Sequence, residues 1–291
     1  MIKETTIIIP ELSKPHFLEN CIEALIRNSY YKHRILVIGS STKIFATDFL
    51  YDRYSKKKYQ KYKCMYDFLE KRGDWLKDNN VTFIDTTERV TKFREEYERN
   101  VGFYDGGVDV SFKDNIGVEY IGKEEWFIWN WDDDFIAAPD WDINLFKHVD
   151  EDDHNRVYVP THVQPYFAED KRIYTIDKND VWTTSRHICE HAPTLPIFSR
   201  TEHYLLESEL KEFVKLNSRD DVQKEICGAR TKTHWVPMLI NKSLYSNIGG
   251  SNYQGCAYDL ELDNTLGRSG VIKTTSRSSF IIHRGHMIWD E

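Results

Sequence analysis

The stretch 126-WFIWNWDDDFIAAPDW-141 decides how the chain is read. An aromatic and aliphatic run leads into three adjacent aspartates, and Pro139 then opens a segment that reads as helical. Adjacent like charges repel, more strongly as water is excluded, so the triplet is costly unless something positive sits among the carboxylates. Asp132 and Asp134, two apart, can converge on one point if the backbone turns after the strand. Such oxygens suit a hard divalent cation, Mg2+ or Mn2+, which keeps positions for water and substrate phosphates. The competing reading is a helix N-terminus, where an acidic group contributes about 0.3–1 kcal/mol. Three aspartates exceed that need, and Asp140 and Asp142 already stand at the helix start.

Working outward, 5-TTIIIP-10 and 34-RILVIGSS-41 are β-branched or aliphatic runs that read as buried strands. Between them Pro15 opens a helix with Phe17, Leu18, Cys21, Ile22 and Leu25 at helical spacing, closed near Asn28-Ser29. Strand, helix, strand with short links is the unit of a parallel sheet, with a right-handed crossover. After a loose basic, tyrosine-rich stretch over 47–77 comes strand 81-VTFID-85. A helix follows over 108-VDVSFKDNIGVEYIG-122, with Phe112, Ile116 and Tyr120 on one face. The strand 125-EWFIWNW-131 then delivers the aspartates to its carboxyl end, where open α/β sheets bind ligands. Later expectations are strands at Val157–Pro160 and Leu195–Ser199, a polar helix near Glu207–Leu216 and an apolar run at 235-WVPMLI-240. A short helix in 241-NKSLYSNIGG-250 ends at glycine, and another helix lies near 257–268.

The 291 residues, 40% hydrophobic and 14% aromatic, supply a sizeable core and argue against disorder. A net charge of −8 gives no general attraction to phosphate backbones. No window carries the roughly 18 uninterrupted apolar residues of a membrane span, and Met1–Lys3 runs straight into a strand without a secretory signal. Five scattered cysteines without a C-x-x-C pair fit reduced thiols, so the expected setting is cytoplasmic.

In the order of these features the chain resembles the family 2 glycosyltransferases of the GT-A fold. The segment 5-TTIIIPELSKPHFLENCIEALIRNSY-30 is similar to that family's opening strand, proline, loop and helix. Lys113-Asp114-Asn115-Ile116-Gly117 resembles its Arg-Asn-x-Gly helix, and Asp132-x-Asp134 with Pro139 its Asp-x-Asp motif. Ile248-Gly249-Gly250 with 258-YDLELDNTLGRSG-270 resembles its Gly-Gly turn and acidic helix. The resemblance implies a single α/β domain with a Rossmann-like, mixed and mostly parallel sheet flanked by helices. Residues 1–150 would form the nucleotide-sugar half, and 151–291 the acceptor half with an irregular insert over 151–233. It implies transfer of a sugar from a nucleotide-diphosphate sugar, UDP-sugars included, to an acceptor hydroxyl, with inversion and with Mn2+ or Mg2+.

Carried over residue by residue, the resemblance implies Asp132, Asp134 and His283 as metal ligands, with His286 as the fallback. Pro10, Glu11, Ser40, Lys113, Asp132 and Asp133 would bind the donor, and Asp259 would be the general base. The cation would neutralise the departing diphosphate, and the base is typically worth about 10²–10⁴-fold. Two departures stand out. The family's aspartate pair after the second strand is replaced by Gly39-Ser40-Ser41, and Leu12 replaces an aromatic.

Other constellations carry rival readings. In 187-HICEH-191 three potential zinc ligands alternate, without a fourth at familiar spacing. The segment 53-RYSKKKYQKYK-63 interleaves lysine and tyrosine as a nucleic-acid surface does, or forms a solvated face with its rings tucked under. A saccharide is therefore the expected acceptor, and a modified base of viral DNA the alternative. The rivals of other classes are an inactive nucleotide-sugar binder and a metal-dependent nuclease or phosphatase.

Overall fold

The opening strand, helix and strand form as their apolar spacing predicts. Strand β1 (Thr6–Pro10) is buried at every position. Helix α1 (Pro15–Asn28) starts with its proline in the first turn, where an N–H is dispensable, and buries Phe17, Leu18, Cys21, Ile22 and Leu25. Strand β2 (Arg34–Gly39) returns parallel to β1, with Ile8 opposite Leu36. The computed structural model describes residues 2, 5–48, 50–51, 58–122, 125–163, 165–168, 171–174, 198–199, 211, 214–228, 237–253 and 258–283. The segment 187–191, His286 and most of the expected helix at 207–216 lie outside them.

A two-residue hairpin, β3 (Leu50–Tyr51) with β4 (Lys58–Tyr59), precedes α2 (Met65–Asp78), β5 (Val81–Asp85) and α3 (Thr87–Val101). Helix α4 (Gly106–Val118) is shorter than its periodicity suggests and leaves Tyr120 exposed in the turn beyond it. Strands β6 (Trp126–Trp129) and β7 (Phe135–Ala137) flank the aspartates, and α5 (Trp141–Phe146) follows. Next come β8 (Arg156–Val163), β9 (Pro165–Ala168), β10 (Lys171–Tyr174), β11 (Phe198–Ser199) and β12 (Val222–Ile226). Strand β13 (Met238–Asn241), α6 (Lys242–Asn247), α7 (Tyr258–Arg268) and β14 (Ile272–His283) complete the described chain.

One mixed sheet carries the order β12-β14-β8-β13-β6-β1-β2-β5, with β7 pairing β14. Its amino-terminal part, β6-β1-β2-β5, is parallel, so the carboxyl ends of four strands share one edge. Strand β13 enters antiparallel beside β6, Met238 opposite Trp129. Trp129, Trp131 and Trp141 are wholly buried, the last two with ring centroids 4.7 Å apart. The tryptophans around the aspartates are therefore core, and they anchor the acidic loop from below. Among the described residues no helix is long and apolar enough to cross a membrane.

Candidate functional site

The triplet is aimed by a backbone turn. Asn130 takes φ +53°, a left-handed conformation that asparagine tolerates, and Trp131 N then donates to Ile8 O at 2.9 Å. The aspartates so leave β6 beside the loop that follows β1. They lead directly into strand β7, so they cap no helix. Nor does Asp140 make a side-chain cap on α5. Asp142 is spent elsewhere, accepting from Tyr30 N at 2.8 Å and Tyr31 N at 2.7 Å.

Asp132 is half-buried, whereas Asp133 and Asp134 are 2% and 4% exposed. Asp133 accepts from Leu12 N at 3.1 Å and pairs with Lys14 at 3.5 Å. Burial works against the Lys14 ammonium, but the charges of Asp133, Asp134 and Asp132 outweigh it and hold its pKa above the ordinary lysine value. Lys14 is thus a counter-ion that the chain itself supplies. Asp133 feels the balance: burial pushes its pKa up to about 6 against the pull of Lys14.

A further acid stands behind them. Asp114, on the inner face of α4, is wholly buried, and neither carboxylate oxygen has a hydrogen-bond partner. Burial first, and the Asp132 charge second, push its pKa well above the carboxylate range. These side chains offer carboxylate oxygens, donors that fit a hard divalent cation. Among the described residues, however, no three His, Cys, Asp or Glu side chains converge as a finished metal cage. The backbone of His283 pairs with Phe135, the residue after Asp134, which puts it at the aspartates by register. Asp259 lies in the first turn of α7, a helix that packs on α4. The side chains of both lie outside the described residues.

Beside the acidic loop a cleft of about 630 Å³ opens at the carboxyl ends of β1 and β2. Leu12, Ser13, Ser40 and Thr42 form one wall; Thr87, Arg94 and Glu98 of α3 face them, with Tyr104, Asp109 and Lys113 beyond. Ser40 and Lys113 therefore line the same cavity. Glu11 and the aspartates are not among its walls. Lys113 is 4% exposed, donates to the Glu11 carbonyl and pairs with Asp109 at 2.5 Å, so it braces the floor of the cleft. Glu11 is wholly buried, accepting from Lys14 N at 3.0 Å through Oε1 while Oε2 has no partner. Burial pushes its pKa up to about 7, against the Lys113 charge. Pro10 ends β1 immediately below.

Several side chains here escape a reading by motif. Asp85, at the carboxyl end of β5, accepts from Ser41 Oγ and from Thr87 N at 2.9 Å. Burial opposes its ionisation, but the Ser41 and Thr87 hydrogen bonds prevail and hold its carboxyl below the ordinary value. A carboxylate thus reaches the turn after β2 from the neighbouring strand, where Gly39-Ser40-Ser41 lacks one. Arg94 pairs with Glu98 at 2.9 Å and lies 5.2 Å from the Tyr104 ring centroid. The signal for Asp85 was present, a strand ending in an acid; nothing in sequence tied Arg94 or Lys14 to the site.

Helix α4 also holds the Gly-Gly turn. Asn115 Nδ2 donates to Ser251 O at 2.7 Å, and Asn115 Oδ1 accepts from Tyr245 OH at 2.8 Å and Ser251 N at 3.1 Å. Gly249 and Gly250 take φ +88° and +75°, which glycine alone adopts without strain. In the basic segment, Lys61 pairs with Glu19 at 2.8 Å, and Tyr62 is buried with its hydroxyl on Glu19 at 2.7 Å. Tyr62 faces inward, whereas Lys61 stays exposed; residues 52–57 lie outside the described set.

No protein-family model and no curated protein matches the sequence significantly. Solved structures do match in fold. GalNAc-T7 with UDP, GalNAc and Mn2+ is similar over 96% of this chain and 43% of its own, at 12% identity and a TM-score of 0.55. The S. aureus protein TarS, residues 1–349, is similar over 97% of this chain and 60% of its own, at 9% identity and a TM-score of 0.52. The chain thus spans less than two thirds of either. At such identities the likeness is one of fold: a mixed α/β sheet flanked by helices, the GT-A architecture.

Proposed function

We propose that this chain is a glycosyltransferase that moves a sugar from a nucleotide-diphosphate sugar to an acceptor hydroxyl. One observation carries the reading: a cleft of about 630 Å³ at the ends of β1 and β2 adjoins a loop of three consecutive aspartates at the end of β6. The likeness to a protein seen with UDP and Mn2+ supports it.

Charge decides the direction of the donor. The cleft walls carry Arg94 and Lys113 against Glu95, Glu98, Asp105 and Asp109, and both cations are already paired. Such a cavity suits a neutral nucleoside and repels a diphosphate. The diphosphate then lies over the Leu12–Lys14 loop toward Asp132 and Asp134, which with His283 would hold the Mn2+ or Mg2+. A bound cation offsets charge growing on the leaving diphosphate. Ser40 and the Asp85–Ser41 pair address the nucleoside. Glu11 and Lys113 set the floor, and Asp133 fixes the loop through Leu12 N and Lys14. Asp259 takes the acceptor proton, and attack from the opposite face gives inversion. The acceptor is a saccharide. A nucleic-acid acceptor would instead show binding that falls steeply with salt.

The test is calorimetric titration of UDP-sugars with and without Mn2+, on the wild type and on Asp132→Asn. The expected result is Mn2+-dependent binding, weakened at least tenfold by the substitution. Donor binding that ignores both the metal and the substitution overturns the reading.

A further inference from the structure

A buried polar group without a partner is uncommon in a folded protein and calls for a specific reason. Asp114 is such a group. It is 0% exposed, both of its oxygens lack a hydrogen-bond partner among the described residues, and the charge of Asp132 acts on it. Its other acidic-side neighbour is Tyr245, whose hydroxyl lies 2.8 Å from Asn115 Oδ1 and 2.9 Å from Ser251 N, and which leaves Asp114 without a bond. The carboxyl therefore stands between the aspartate loop and the Gly-Gly turn, spent on neither.

As a purely structural residue Asp114 is a poor choice. An orphaned buried acid costs on the order of 1–3 kcal/mol that an apolar side chain would not. Two carboxyls whose charges repel are reconciled by a donor or a cation between them. Mg2+ and Mn2+ retain water ligands when held by few protein carboxylates, and such waters donate to nearby acids.

We propose that Asp114 belongs to the cation site, accepting from a water ligand of the ion held at Asp132. The inference rests on the cation-bearing reading above. It makes α4 the common mount of three things: the brace under the cleft (Lys113), the rear of the cation site (Asp114) and the anchor of the Gly-Gly turn (Asn115).

The test is Mn2+ titration followed by electron paramagnetic resonance, with melting of the metal-free protein, on the full-length wild type, Asp114→Asn and Asp114→Ala. The expected result is Mn2+ affinity about tenfold or more weaker in both variants, as for other groups that hold a metal's surroundings, with a metal-free Tm equal to or above the wild type. The second variant covers the case in which the amide does not fold. Unchanged Mn2+ affinity in the variants removes Asp114 from the site and leaves the cation reading standing. A lowered metal-free Tm in both variants assigns Asp114 a structural role and overturns the inference. A wild type that binds no Mn2+, alone or with UDP, overturns both.

Discussion

Glu11 shows how a single buried side chain can make stability depend on pH. Its carboxyl is wholly buried, one oxygen is unpartnered, and burial pushes its pKa from 4.5 up to about 7. The folded state therefore holds this proton more tightly than the unfolded chain, and the stability it contributes is present below about pH 4.5 and lost as pH rises through about 7. The loss amounts to on the order of 3 kcal/mol at most, at about 1.4 kcal/mol per unit. Glu11→Gln is expected to flatten that part of the stability profile, read as urea midpoints between pH 5 and 8. A parallel profile in the variant would show that Glu11 is not the titrating group. Close to it, Gly39 has no room for a side chain: a Cβ would stand 2.9 Å from Glu11 Oε2. The small residues of the turn after β2, which depart from the family pattern, are thus matched to the acid beneath them.

At the scale of elements, the Gly-Gly turn is fixed by helix α4 and not by its own helix alone. A Cβ on Gly250 would lie 2.8 Å from Asn115 Oδ1, at φ +75°. Gly250→Ala is expected to cost about 1–2 kcal/mol in urea unfolding, with turnover falling further than stability because the turn loses its Asn115 anchor. The elements that announce themselves in sequence are the ones with a one-sided or continuous apolar pattern: β1, α1, β2, β5, β6 and α6. Helix α3 was hidden because it buries no residue fully and is held by ring contacts, Phe93 stacking on Phe112 at 4.0 Å. Strand β7 was hidden because Phe135–Ala137 reads as the lead into a helix, and only its pairing with distant β14 makes it a strand. For the site, the aspartates at the end of β6 and Ser40 in the turn after β2 were legible from order and spacing. Lys14 and Asp114 were not, and Asp85 showed only as an acid ending a strand, since their roles depend on which loops meet across the sheet edge.

At the scale of the molecule, one sheet is shared by the two ends of the chain. Strand β6 has β13 on its far side, and β7 pairs β14. A fragment of residues 1–150 would leave Trp126–Trp129 as an apolar sheet edge and β7 without a ladder. It is expected to aggregate or to lack a cooperative melting transition by circular dichroism, whereas a self-contained half would melt sharply. The pairing of His283 with Phe135 also sets a schedule. While the chain is being made, the acidic loop emerges more than a hundred residues before the strand that secures its far end. The far end of the loop therefore stays unanchored until β14 has been made, and a chain cut before residue 272 leaves β7 without its ladder.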